Sequence, residues 1–200
     1  MPTASRAKHK FCRRIGQCLW SDPKCPSVKR PYAAGPHGKG RRVKLSTYGE
    51  LLLEKQKLRN YYAISEKQLR IAFAKAKSGL GLTHEKLFRS LEMRLDALVY
   101  RAGFAPTIFA AKQIVNHGHI LVDGKRLDRS SCVIKEGQVI TIDAAKSPAA
   151  AEAAKKSNSI VPPYMEVDLD NLKATLVRAP QLEEIPVPVK IMSVVEYYAR

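Results

Sequence analysis

The stretch "LEMRLDALVYRAGFAPTIFAAKQIVNHGHILVDGKRLDRSSCVIKEGQVITI", residues 91 to 142, changes its period part-way along, and that change decides the fold. As far as Asn116 the apolar residues recur at helical spacing: Leu91, Leu95, Leu98 and Ala102, then Ile108, Ala111, Ile114 and Val115 after Gly103. Thr107 is placed to cap the second run. From His117 onward the pattern is that of strands: "HILV", the turn Asp123-Gly124, "KRL", then "CVI", a bend at "KEG", and "QVITID". Two antiparallel helices followed by a hairpin and a further strand make a small α+β unit suited to presenting a surface. Arg101, Lys112, Lys125 and Arg126 fall close in sequence to the free N–H groups at the Thr107 helix start, a pairing that suits phosphate.

Working outward, Thr83 opens the longest periodic run, "HEKLFRSLEMRLDALVYRAG", which predicts one helix ending at Gly103. A helix is expected after Ser65, in "EKQLRIAFAKAKSG", stopped by Gly79. Another is capped by Ser46, with Leu51, Leu52, Leu58 and Tyr62 as its apolar stripe and Lys55, Lys57 and Arg59 directed elsewhere. Prolines and glycines interrupt residues 1–45, so that region reads as an extension shaped by its partner. Beyond Asp143, "AAKSPAAAEAAKKSNS" reads either as a linker or as an Ala-rich helix. "YMEVDLDNLKATLV" predicts two strands about an Asp-Asn turn, and Ile191, Val194, Val195 and Tyr198 predict a closing helix.

The 200-residue chain carries 35 Lys and Arg against 18 Asp and Glu, a net charge of +17. Residues 1–60 hold 15 basic and 3 acidic side chains, residues 61–144 hold 13 and 8, and residues 145–200 hold 7 and 7. One sign concentrated at the front of a chain points to a polyanion, and nucleic acid is favoured over a membrane surface because no long amphipathic helix lies there. Without an apolar run of membrane length or a signal-peptide core, the expected compartment is the cytoplasm. The cysteines then read as reduced thiols or metal ligands.

Residues 91–142 resemble the S4-type RNA-binding domain along their whole length, in "RLD", "VYRAGF" and "AKQIVNHGHILVDG". The preceding "AGPHGKGRRVKLSTYGELLLEKQKLRNYYAISEKQLR", together with "YMEVD" and "VVEYYAR", is similar to the bacterial-type S-four family of small-subunit ribosomal proteins. That resemblance implies a basic extension over 1–45, and a mainly helical domain over 46–89 completed by 145–200. Between its parts it inserts an S4-type domain over 90–144, with two helices and a small antiparallel sheet. It implies a non-catalytic, primary binder of small-subunit ribosomal RNA that nucleates assembly and contributes to translational accuracy. The implied neighbours are small-subunit proteins, notably S-five, and messenger RNA near the path by which it enters.

Carried over by position, the resemblance places RNA contacts at Arg94, Arg101, Lys112, His117, His119, Lys125 and Arg126. In the preceding segment it places them at His37, Lys39, Arg41, Arg42, Tyr48, Lys55, Lys57 and Arg59. Guanidinium forks clasp phosphate oxygens in pairs, whereas lysine acts as a point charge. Asp96 is assigned to structure, pairing with an arginine; Tyr48 is read as packing, and Cys132 as a buried small hydrophobe.

"HKFCRRIGQCLWSDPKC" supplies His9, Cys12, Cys18 and Cys25 in a segment too polar for a core of its own. Some family members carry a four-cysteine zinc site here, with His9 standing where the first cysteine would fall. Only His9-x-x-Cys12 has a compact knuckle spacing, so bound zinc and free thiols folded onto RNA both stand.

S4-type modules also accompany pseudouridine synthases and tyrosyl-tRNA synthetases, but the remaining residues are too few for a catalytic domain and carry no acid-base or nucleophile constellation. "GPHGKG" fails as a phosphate loop, because only two residues separate Gly35 from Gly38 and Gly40 stands where Ser or Thr is needed. The alternative function is a free-standing ribosome-associated factor built on the same module. Such a factor would strip from washed subunits at high salt, where a constitutive component stays.

Overall fold

Two helices begin where the sequence places their caps. In the computed structural model, which describes residues 8–20, 22–40, 44–144, 146–155 and 161–199, the Ser46 hydroxyl accepts the Gly49 N–H and opens α3, Thr47–Tyr61. Thr107 does the same for the Ala110 N–H at the start of α7, Ile108–Asn116. Each satisfies one of the orphan donors of a first turn. The front of the chain holds α1, Lys8–Ile15, and α2, Pro26–Lys29. The expectation of an extension without long elements thus meets two short helices.

The chain forms two compact units, one of Met1–Leu69 with Val187–Arg200 and one of Arg70–Pro186; α4, Glu66–Ser78, crosses from the first to the second. In the first unit α3 packs on the closing helix α9, Ile191–Ala199. Leu58 and Val194 are fully buried there, and the carboxylate of Glu54 accepts the Lys190 N–H at 2.8 Å. Tyr198 and Lys55 both donate to Glu66, each at 3.0 Å.

In the second unit, the single helix expected from Thr83 to Gly103 is two: α5, Thr83–Glu92, and α6, Leu95–Arg101, with Leu82 rather than Thr83 at the cap position. The break has a tertiary cause. Arg94 is extended and bridges Val133, Leu95 donates to the Cys132 carbonyl, Asp96 to that of Ser130, and Ile134 to that of Met93. These bonds replace helical ones, and they use up the "CVI" segment, which forms this bridge rather than the expected strand.

The strands are β1, Ile120–Val122; β2, Lys125–Arg126; β3, Val139–Ile142; β4, Met165–Asp168; and β5, Lys173–Leu176. They form one antiparallel sheet in the order β2-β1-β3-β5-β4. Alternation fixes one face inward: Ile120 sits opposite Ile142, Val122 opposite Ile140, Ile140 opposite Ala174, and Met165 opposite Leu176, all buried. The sheet therefore draws in residues 165–176, which the sequence reading places with the helical domain. Its inner face joins Leu95, Leu98, Val99, Phe104, Ala111 and Val115 from α6, α7 and their connection in one core. The Ala-rich stretch is a helix, α8, Pro148–Lys155, which adds Ala151 and Ala154 to that core. Cys132 is half-buried at its margin.

Leu98 is fully buried at the centre of this core. Leu98→Ala should cost about 2–5 kcal/mol of unfolding free energy, read as a shifted midpoint in urea. A pH test follows from Glu66. Burial raises its carboxyl pKa, but hydrogen bonds from Lys55 and Tyr198 outweigh that and hold it below the ordinary value. A folded pKa lower than the unfolded one, about 4.3 for glutamate, stabilises the protein at neutral pH and ceases to do so as pH falls through the folded value. Glu66→Gln should therefore destabilise at neutral pH and lose that effect as pH falls through the folded value, as urea titrations along an acid pH series would show.

Candidate nucleic-acid interface and metal centre

The turn that presents the basic hairpin is tightly specified. Asp123 and Gly124 both take positive φ, 50° and 76°, the combination a two-residue hairpin loop favours. The Val139 N–H and the Gln138 amide donate to the Asp123 carboxylate at 3.0 and 2.7 Å and hold its pKa below the ordinary range. Lys125 and Arg126 follow on the edge strand β2, both exposed. Arg126 lies back over Gly118, donating to the His117 carbonyl at 3.4 Å. A Cβ on Gly118 would stand 2.1 Å from the Arg126 Nε, and its φ of 70° also favours glycine. The rings of exposed His117 and half-buried His119 lie 5.8 Å apart beside this strand. One end of the second unit thus gathers two permanent cations and two imidazoles.

Other cations from the sequence reading are occupied by carboxylates. Arg94 is buried and makes a bidentate pair with Asp96, at 3.0 and 2.7 Å, bearing out the structural role read for Asp96. Arg101 is buried and paired with Glu92, which also accepts the Tyr164 hydroxyl at 2.8 Å. Burial and internal pairing take both arginines off the exposed surface. Lys112 stands 3.8 Å from Asp96; its burial lowers the ammonium pKa, and Asp96 opposes the shift. In the first unit Lys55 is buried against Glu66 and over the Tyr197 ring, Lys57 pairs with Glu54, and Arg59 lies 3.8 Å from Glu66.

His37 and Lys39 are exposed, the latter with its ammonium 5.6 Å from the Tyr32 ring centroid. Gly38 between them touches backbone so closely that a Cβ would meet the Ala33 carbonyl oxygen at 1.8 Å. Tyr48 is largely exposed but packs its ring 5.7 Å from that of Tyr197. Arg41 and Arg42 lie outside the described residues. Helix α4 also exposes Lys67, Arg70 and Lys77, none of them among the expected contacts. Their spacing of three and seven was the available signal for one helical face.

His9, Cys12, Cys18 and Cys25 come together in the first unit, with one donor atom from each lying within 4.8 Å of all the others. Helix α1 sets His9 and Cys12 at i and i+3 on one face. Gly16, at φ 80°, ends the helix and turns the chain toward Cys18. Cys25 occupies the cap position of α2, with Pro26 locked behind it. Cys12 and Cys25 are buried, His9 and Cys18 half-buried, and all four cysteines of the chain are unbridged thiols. The Trp20 indole donates to the Tyr61 carbonyl at 3.2 Å and tethers the loop to the end of α3.

Burial, reinforced by the thiols of Cys25 and Cys18, pushes the Cys12 thiol up to about 12. Burial also works against ionisation of Cys25, but hydrogen bonding to Ser27 and the neighbouring thiols brings it below its ordinary value. The donor set suits zinc: three sulfurs and an imidazole nitrogen bound tetrahedrally would stand about 3.8 Å apart for Zn–S near 2.3 Å. The observed quartet needs little adjustment to reach that spacing.

The match to known proteins is extensive. Residues 4–92 match the family model described as the ribosomal protein S4/S9 N-terminal domain, and residues 93–140 match the S4 domain. The chain is 46% identical over 205 aligned positions to the small ribosomal subunit protein uS4 of Ruegeria sp. strain TM1040, covering all of both chains. It is 45% identical, over 97% of each chain, to that of Rhodospirillum rubrum. The chain belongs to the uS4 family of small-subunit ribosomal proteins. The resemblance read from residues 91–142 is thereby confirmed, as is the α+β fold that it implied. Membership makes the chain a ribosomal component and not an enzyme. No helix among the described residues is long and apolar enough to cross a membrane.

If the quartet is a structural metal centre, the full-length chain purified without chelator should carry about one zinc per molecule by elemental analysis. A strong chelator should then lower its melting temperature.

Proposed function

We propose that this uS4 chain binds small-subunit ribosomal RNA directly, with the exposed hairpin end of its second unit as a phosphate-facing surface. The observation that carries this reading is the grouping of Lys125, Arg126, His117 and His119 on one edge of the sheet, with both permanent cations exposed and, among the described residues, no ion pair to either. Lys112, on α7, is held toward Asp96 and contributes less free charge. Arg94 and Arg101 act indirectly, by fixing α6 through Asp96 and Glu92. In the first unit His37 and Lys39 offer a second contact. Arg41 and Arg42 join it on sequence grounds, and Lys55, Lys57, Arg59 and Tyr48 belong to the helix α3 that follows in the chain.

As a ribosomal component, the chain works in the cytoplasm on the small subunit. Direct binding to folded RNA gives it an early place in assembly and a part in decoding accuracy, with S-five and incoming messenger RNA as neighbours. The basic front of the chain supports this, because cations displacing condensed counterions drive association. Zinc held by His9, Cys12, Cys18 and Cys25 would tie the two short front helices into a fixed shape for the same task.

Lys125→Ala combined with Arg126→Ala should weaken binding to small-subunit ribosomal RNA. It should also flatten the dependence of log affinity on log salt by up to about two units of slope. Filter binding across a salt series measures both, and unchanged affinity and slope would remove the hairpin from the interface.

A further inference from the structure

The imidazole of His9 turns its two nitrogens to different neighbours. Nδ1 stands 3.0 Å from the Cys25 sulfur and so faces the quartet, while Nε2 stands 3.9 Å from Oδ2 of Asp22. Asp22 is outside the donor quartet, which already supplies the four ligands a structural zinc takes. Its carboxylate is nonetheless held in place: Oδ1 accepts the Lys24 N–H at 2.9 Å, and the Asp22 carbonyl accepts the Cys25 N–H at 3.1 Å. The residue facing the back of His9 therefore also builds the turn that delivers Cys25. Trp20 meets the same ring edge-on, with centroids 6.0 Å apart, which limits how the imidazole can rotate.

A thiolate has no tautomer to set before it binds a metal, but an imidazole must carry its proton on the nitrogen away from it. Metal-bound histidines have that second nitrogen directed at a carboxylate or carbonyl, which fixes the tautomer and raises the basicity of the ligating nitrogen. We propose that Asp22 is a positioning residue of the His9–Cys12–Cys18–Cys25 centre: its charge holds the proton of His9 on Nε2 and so presents the Nδ1 lone pair to the metal. At 3.9 Å the contact is an ion-pair distance rather than a hydrogen bond, so the carboxylate acts through its charge. The inference rests on the metal reading above and adds a fifth residue to it. It also ties Asp22 to the presence of histidine at position 9, where a cysteine would have no use for it.

The test is a double-mutant cycle on the full-length chain, with zinc affinity measured by competition against a chromophoric chelator. Asp22→Asn removes the charge while keeping an oxygen that can accept the Lys24 N–H. It should weaken zinc binding about ten- to a hundredfold. In a His9→Cys background the same substitution should change affinity by less than about twofold. Unchanged affinity for Asp22→Asn alone overturns the proposal. So does an equal loss in both backgrounds, which would assign Asp22 to the turn only. Should His9→Cys fail to fold, nitrogen-15 spectra of the zinc-loaded wild type decide: a metal-bound Nδ1 with a protonated Nε2 supports the proposal, and the reverse tautomer overturns it. A wild-type chain that takes up no zinc overturns the metal reading itself, and this inference with it.

Discussion

The second unit depends on one short detour of the backbone at Met93–Asp96. There the chain leaves α5, bridges the 130–134 segment through main-chain hydrogen bonds, and re-enters helix as α6. The Arg94 guanidinium closes on the Asp96 carboxylate across the bend. A buried pair of this kind adds little net stability, because desolvation offsets much of the attraction. Its consequence is geometric. With the helix broken there, α6 can lie against α7 and the inner face of the sheet, and the hydrophobic core closes around Leu98 and Phe104. Glu92, Arg101 and Tyr164 make a second polar knot that ties the end of α5 to α6 and to the residue just before β4.

That arrangement sorts the positive charge into two kinds. Cations within reach of Asp96, Glu92, Glu54 or Glu66 are neutralised inside the protein and position helices. Cations on the edge strand β2, on the exposed face of α4 and in the 37–39 turn have their charge turned to solvent. A polyanion feels mostly the second kind, since paired charges are screened at short range by their own partners. Net charge alone therefore overstates the number of side chains available to phosphate.

The front of the chain meets a different constraint. It has too few apolar residues to close a core, and Cys12, Leu19 and Cys25 are among the few it buries. Small segments of this kind are stapled by a metal or a disulfide where burial is insufficient. The convergence of three thiols and an imidazole, with Trp20 tethered to the end of α3, suits the first of these.

By itself the sequence determined several elements whose signal is local. The Ser46 and Thr107 caps, the Asp123-Gly124 turn, the strands around Asp170-Asn171 and the closing helix all follow from side-chain chemistry within a few residues. Its motifs also sufficed to place the chain in its family. Only tertiary structure decided what depends on distant partners. The run from Thr83 to Gly103 keeps an unbroken helical period, yet hydrogen bonds from residues some forty positions later divide it. Arg94 and Lys125 are both basic residues beside a motif, but one closes a bidentate pair with a buried carboxylate while the other stands exposed on an edge strand. Spacings of five and six residues between Cys12, Cys18 and Cys25 hid a cluster that the loop between α1 and α2 assembles in space. Period and capping are properties of neighbours in the chain, whereas pairing and ligation are properties of neighbours in the fold.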